Sequence, residues 1–135
     1  MNITLDIIIR KSYYIQMGKT QKILIIEDNK DICELIEMIL SDKYDVEFRT
    51  EIEDVLKNFD MSSYDLVISD YLIGNRSAEA IVEKFPKKRY VIITALSTQN
   101  PHLKKLVSLP NISYMQKPFE LSDFTNLVDS IINSK

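Results

Sequence analysis

The sequence predicts an α/β fold, a doubly wound parallel sheet of five strands, each followed by a helix, with helices on both faces. Three observations carry this expectation. From residue 22 onward, short strand-like runs alternate with segments whose apolar residues recur at helical spacing. Three of the runs are continuously apolar, whereas two alternate with period two. Finally, 135 residues with 45% apolar and 27% charged composition suit one globular domain that can bury a core without staples.

The elements follow in order. Residues 23–26 form a continuous apolar run, and Ile32, Leu35, Ile36, Ile39 and Leu40 then match the i, i+3, i+4, i+7, i+8 helical template. Tyr44, Val46 and Phe48 alternate with Asp45 and Glu47, and Ile52, Val55, Leu56 and Phe59 return to helical spacing. Residues 66–68 are a second continuous run, followed by Ala78, Ile81, Val82 and Phe85 on one helix face. Residues 90–93 are the third. The next helix, with Leu103, Leu106 and Val107, has Asn100 placed to cap it, Pro101 in its first turn and Pro110 to end it. Residues 111–116 alternate again, and Phe124, Leu127, Val128 and Ile131 mark a last helix.

Strands buried on both faces read as continuous apolar runs, while a strand with one wetter face alternates. That pattern puts the second and fifth strands at the edges, which gives the flavodoxin-like order 2-1-3-4-5 for a (βα)5 sheet. The domain is expected over 22–135. Residues 1–21 stand outside the rhythm, and two readings stay open for them: an N-terminal arm or upstream extension, or a true start at Met17, with 17–22 as a polar lead into the first strand.

Charge and composition exclude several function classes. Residues 1–22 carry Arg10, Lys11, Lys19 and Lys22 against Asp6 alone, a charge of +3, which leaves −6 on 23–135 for the total of −3. An acidic body argues against direct DNA binding, which needs basic patches. The run Lys87, Lys88, Arg89 is the local exception, expected as a solvated turn. One cysteine, Cys33, cannot form an internal disulfide, no run approaches a membrane span, and no secretory leader is evident, so the expectation is a cytoplasmic protein with no membrane partner.

In open parallel α/β sheets, ligands sit outside the carboxyl ends of the strands, where the strand order reverses. The first strand ends on Glu27 and Asp28, the third on Asp70, the fourth on Thr94 and Ala95, and the fifth on Lys117 and Pro118. With strands one and three adjacent, three carboxylates are expected to converge, and a hydroxyl and an ammonium approach from the other side. Clustered carboxylates repel and raise one another's pKa unless a cation sits among them. Hard oxygen donors suit Mg²⁺ or Mn²⁺. A divalent ion, a hydroxyl and a lysine are together the parts that steady a phosphoryl group during transfer to a carboxylate.

ILIIEDN (23–29), YDLVISDYLIG (64–74), VIITA (91–95) and YMQKPF (114–119) resemble the receiver domain of two-component response regulators, a likeness that covers 22–135. The resemblance implies a signalling module rather than an enzyme acting on others, one that catalyses only its own phosphoryl uptake and slow loss. It implies that Asp70 accepts a phosphoryl group from a sensor histidine kinase or a histidine phosphotransfer protein, with Mg²⁺ (or Mn²⁺) required. Glu27 and Asp28 would form the acidic pair around the metal with Asp70, Asp28 being favoured as the direct ligand, and Leu72 would add a backbone carbonyl. Thr94 and Lys117 would bind the phosphoryl group, Ala95 would leave room for it, and Pro118 would fix the turn that aims the lysine. Tyr114 would be the aromatic switch partner of Thr94, changing the face built from the fourth helix, fifth strand and fifth helix, toward an unknown downstream protein target. A monomer and a phosphorylation-dependent homodimer both stay open.

The chain also departs from the family pattern. Four and eight residues after the acceptor, where a proline and a glycine are usual, it has Gly74 and Ala78, so the 73–77 loop is expected to take a different path. Two beyond the acceptor and two beyond the threonine, positions that help or hinder the hydrolytic water, it has Leu72 and Leu96, so a long-lived phosphoryl group is expected. The sequence ends at Lys135 just after the last helix, which reads as a single-domain receiver. The alternative is a receiver-like interaction module that works without phosphorylation. A hydrolase of the haloacid dehalogenase type would want a second Asp where Leu72 stands, and a nucleotide or flavin binder would want a glycine-rich loop, whereas the chain has only Gly18 and Gly74.

Overall fold

The computed structural model describes residues 21–57 and 60–134. Residues 1–20 of the N-terminal arm (1–21), with the Met17 alternative, and Phe59 of the second helical pattern lie outside the described residues. The sheet strands are β1 (Lys22–Ile26), β2 (Asp45–Arg49), β3 (Leu66–Asp70), β4 (Tyr90–Thr94) and β5 (Ile112–Gln116), paired in parallel in the order β2-β1-β3-β4-β5. The helices are α1 (Lys30–Leu40), α2 (Ile52–Leu56), α3 (Glu79–Lys84), α4 (Pro101–Val107) and α5 (Leu121–Asn133).

The strand order follows from burial. Apolar side chains of β1, β3 and β4 are buried on both faces, whereas all five residues of β2 are half-buried and only Ile112 of β5 is buried. Successive residues point to opposite faces of a strand, so the sheet separates two cores. Leu24, Ile26, Val67, Tyr90 and Ile92 pack with Ile52 and Val55 of α2, Ile81 and Val82 of α3, and Leu103 and Leu106 of α4. On the other face, Ile23, Ile25, Ile68, Val91 and Ile93 pack with Ile36 and Leu40 of α1 and with Phe124 and Val128 of α5.

Helix starts obey simple capping. Asn29 Oδ1 accepts from Ile32 N–H, and Asn100 Oδ1 accepts from His102 and Leu103 N–H ahead of Pro101. Leu35 fits the apolar spacing of α1 yet is exposed, because Ile32, Ile36, Ile39 and Leu40 take the line facing the sheet. The Lys87–Arg89 run is more than a solvated turn: Lys88 Nζ donates to Tyr64 O, and Arg89 donates to Ile131 O, Ser134 O and Asp65 O. The Arg89 bonds tie carbonyls at the carboxyl end of α5 to the residue that precedes β3.

The 73–77 loop, whose path the sequence left open, is built on a short ladder. Leu72–Ile73 and Arg76–Ser77 form a two-residue antiparallel ladder, turned at Gly74 with φ +61°. Proline is locked near −65° and cannot adopt that angle, which is why glycine stands here. Arg76 Nη1 pairs with Glu53 Oε1 at 3.0 Å, fastening the ladder to α2.

Candidate functional site

Parallel register brings the chemistry to one edge. Asp70 lies opposite Ile93, one residue before Thr94, and Thr94 lies opposite Gln116, one residue before Lys117. Lys117 N–H donates to Thr94 O at 2.8 Å, and the Lys117–Pro118 peptide is cis. Glu27, the residue after β1, is fixed by its own N–H donating to Arg49 O at 3.0 Å.

The centre of the site is a lysine shared by two acids. Lys117 Nζ donates to Asp70 Oδ2 at 2.9 Å and to Glu27 Oε2 at 3.2 Å. Glu27 is only 1% exposed, and its second oxygen, Oε1, accepts from Asn29 N–H at 3.1 Å. Burial pushes the Glu27 carboxyl above its ordinary range and the Asp70 charge adds to that, while Asn29 N–H and Lys117 pull it back. Burial alone would lower Lys117, but the hydrogen bonds and charges of Asp70 and Glu27 outweigh it and hold the ammonium above its usual value.

Of the three carboxylates expected to converge, Glu27 and Asp70 meet on Lys117, whereas Asp28 stays on the exposed rim with no hydrogen bond or ion pair to any described residue. Among the described residues, no group of three or more acidic, histidine or cysteine side chains is arranged to hold a metal ion as it stands. The oxygens still free are those of Asp28 and Asp70 Oδ1, both hard donors at the open edge of the site. That donor chemistry fits a small divalent cation on the Asp28 side, with Glu27 already held by Lys117 and Asn29.

Thr94 is buried, and its Oγ1 accepts from Leu96 N–H at 3.2 Å. Leu96 in turn accepts the Tyr114 hydroxyl on its carbonyl at 2.5 Å, and burial raises the Tyr114 pKa. Thr94 and Tyr114 are thus joined through a single residue, Leu96, half-buried against the α2–α4 core. Ala95 is exposed, and the Leu72 side chain is 49% exposed on the rim. Sequence reasoning missed two supports: Asn29, which clamps Glu27 besides capping α1, and Tyr71, which follows Asp70. Tyr71 is buried and its hydroxyl donates to Glu79 Oε1 at 2.6 Å, so burial and that bond push its pKa up to about 12. A tyrosine directly after a strand end and eight residues before a helical glutamate was the available signal.

The sequence matches the family model described as response regulator receiver domain over residues 23–129. Among curated proteins, it is 27% identical over 106 residues to the transcriptional regulatory protein DltR of Streptococcus agalactiae serotype III (strain NEM316), covering 76% of this chain and 47% of the relative. It is 29% identical over 103 residues to the regulatory protein VanR of Enterococcus faecium, covering 74% of this chain and 45% of that one. The chain therefore spans about half the length of these curated relatives. Among solved structures, the non-phosphorylated HemR receiver domain of Leptospira biflexa superimposes with a TM-score of 0.74 at 25% identity, over 86% of this chain and 97% of that one. The chemotaxis protein CheY4 of Vibrio cholerae shares the fold, with a TM-score of 0.65 at 17% identity over 83% and 98% of the two chains.

Proposed function

The chain belongs to the response regulator receiver domain family, and on that premise we propose that it is a phosphoryl-accepting switch with Asp70 as the acceptor. The observation that carries the reading is the Lys117–Asp70 pair at 2.9 Å beside a fully buried Glu27. A buried charge cluster of this kind has no packing purpose, since apolar residues would fill the same space at lower desolvation cost.

In the proposed reaction an Asp70 oxygen attacks the phosphorus of a phosphohistidine on a sensor histidine kinase or histidine phosphotransfer protein. The new bond is O–P, the P–N bond breaks, and its electron pair returns to the imidazole. Lys117 neutralises charge on a phosphoryl oxygen, while Glu27 holds the ammonium at the depth where that oxygen arrives. Asp28, Asp70 and the Leu72 carbonyl would hold Mg²⁺ (or Mn²⁺), which would supply further charge neutralisation. Ala95 leaves the space open. Leu72 and Leu96 offer no group to orient a hydrolytic water, so the acyl phosphate persists.

Signalling follows from the Thr94–Leu96–Tyr114 chain. When the Thr94 hydroxyl turns to the phosphoryl group it releases Leu96 N–H, and Leu96 carries Tyr114 through its carbonyl. A local charge event then biases the face formed by α4, β5 and α5 toward a downstream protein target. We place this exchange in the cytoplasm. The two relatives are named regulatory proteins, and a regulatory output is the class carried over to this chain.

Intact-mass spectrometry after incubation with Mg²⁺ and a small acyl-phosphate donor tests the proposal. The wild type is expected to gain one phosphoryl group and Asp70→Asn none. A wild type that gains nothing overturns the switch and leaves the phosphorylation-independent interaction module.

A further inference from the structure

Between α3 and α4 lies a groove of about 360 Å³ that the phosphoryl site does not use. Its floor is apolar, made by Val82 and Leu106, and Leu109, 43% exposed, projects at its edge. Its two rims carry opposite charges: Glu83 on the α3 side and Lys105 on the α4 side. Both are exposed, and neither forms an ion pair or side-chain hydrogen bond with any described residue. Glu79, on the same rim as Glu83, differs in this respect, since its Oε1 is taken by the Tyr71 hydroxyl.

Opposite charges that line one groove without pairing to any described residue form a self-complementary pattern. In a twofold interface the same patch meets itself, so residue i touches residue j and j touches i. We propose that this groove is the contact between two copies of the chain. Glu83 of each copy meets Lys105 of the other, twice across the axis, and each Leu109 enters the opposing floor between Val82 and Leu106. Exposed leucine next to an apolar floor supplies the area, while the charge pairs set the register and reject other partners. None of these residues touches the phosphoryl site, so the contact is testable on the unphosphorylated protein, while Lys105 and Leu106 lie on α4, an element of the proposed output face.

The pattern predicts a test that separates lost association from lost folding. Glu83→Lys makes both rims basic, and Lys105→Glu makes both acidic, so each variant alone repels itself. Mixed together, the two restore both charge pairs in a heterodimer. Sedimentation velocity across a concentration series up to about 1 mM is expected to show a wild-type monomer–dimer equilibrium. Each single variant should weaken it about tenfold, and the equimolar mixture should recover it to within about threefold. Because the mixture contains only the same two variants, recovery also certifies their fold. A wild type that stays monomeric throughout the series overturns the proposal. So does a dimer indifferent to both reversals, or a mixture that does not recover.

Discussion

At the residue scale, Lys117 holds together two carboxylates that would otherwise repel. Replacing it by methionine leaves Glu27 buried without its cation, and removing one partner of such a set costs about 3 kcal/mol. Urea denaturation near neutral pH measures that loss. The pH dependence follows from the directions of the shifts. The folded-state pKa of Glu27 lies above its ordinary 4.5, so the folded form binds the extra proton and stability falls as pH rises from 4.5 through the folded value. Without Lys117 that fall should extend to higher pH and grow steeper. Lys117 is raised above its ordinary 10.5, so its own contribution is complete below 10.5 and is lost as pH climbs through the folded value. That alkaline loss should be absent in Lys117→Met. On the rim, Leu72→Asn introduces a group able to orient water beside Asp70. Loss of phosphoryl label, timed against wild type, should be several-fold faster in the variant; an unchanged rate counts against Leu72 as a brake.

At the element scale, the β3–α3 connection shows both what the residues declare and what they conceal. Gly74 adopts φ +61°, and a Cβ placed there would meet nothing within 4 Å. Gly74→Ala is therefore unfavourable only through its backbone angle, a cost of roughly 1 kcal/mol; a denaturation midpoint that does not move would contradict this. The ladder at Gly74 was not legible in the sequence, because two residues per strand are too short to display a period. Similarly, Ile52, Val55 and Leu56 announced α2, but its five-residue length depends on tertiary packing against α3 rather than on propensity. The Asn100 cap was readable, since it precedes Pro101 and an apolar-periodic run, whereas Asp28, Asn29 and Asp31 were equal candidates to cap α1 and only the structure selects Asn29. Carbonyl acceptors were not: the Tyr114–Leu96 bond and the Arg89 clamp on α5 join residues far apart in sequence through atoms every residue possesses.

At the scale of the whole molecule, one distinction carried the architecture: continuous runs for β1, β3 and β4 against alternation in β2 and β5. It fixes which strands have two buried faces, and hence the order β2-β1-β3-β4-β5. The order makes strand ends neighbours, so the same pattern that builds two cores also delivers Glu27, Asp70, Thr94 and Lys117 to one edge. Spacing alone did not disclose how those groups share partners. Asp28 lies on the rim while Lys117 sits between Glu27 and Asp70, an outcome of side-chain depth rather than of register. We propose that this edge exists to make an acyl phosphate on Asp70. Borohydride reduction of the phosphorylated protein, followed by peptide mapping, tests it most directly, because reduction converts an aspartyl phosphate to homoserine. The account predicts homoserine at position 70; label that survives reduction unchanged, or homoserine at position 28 instead, would contradict it.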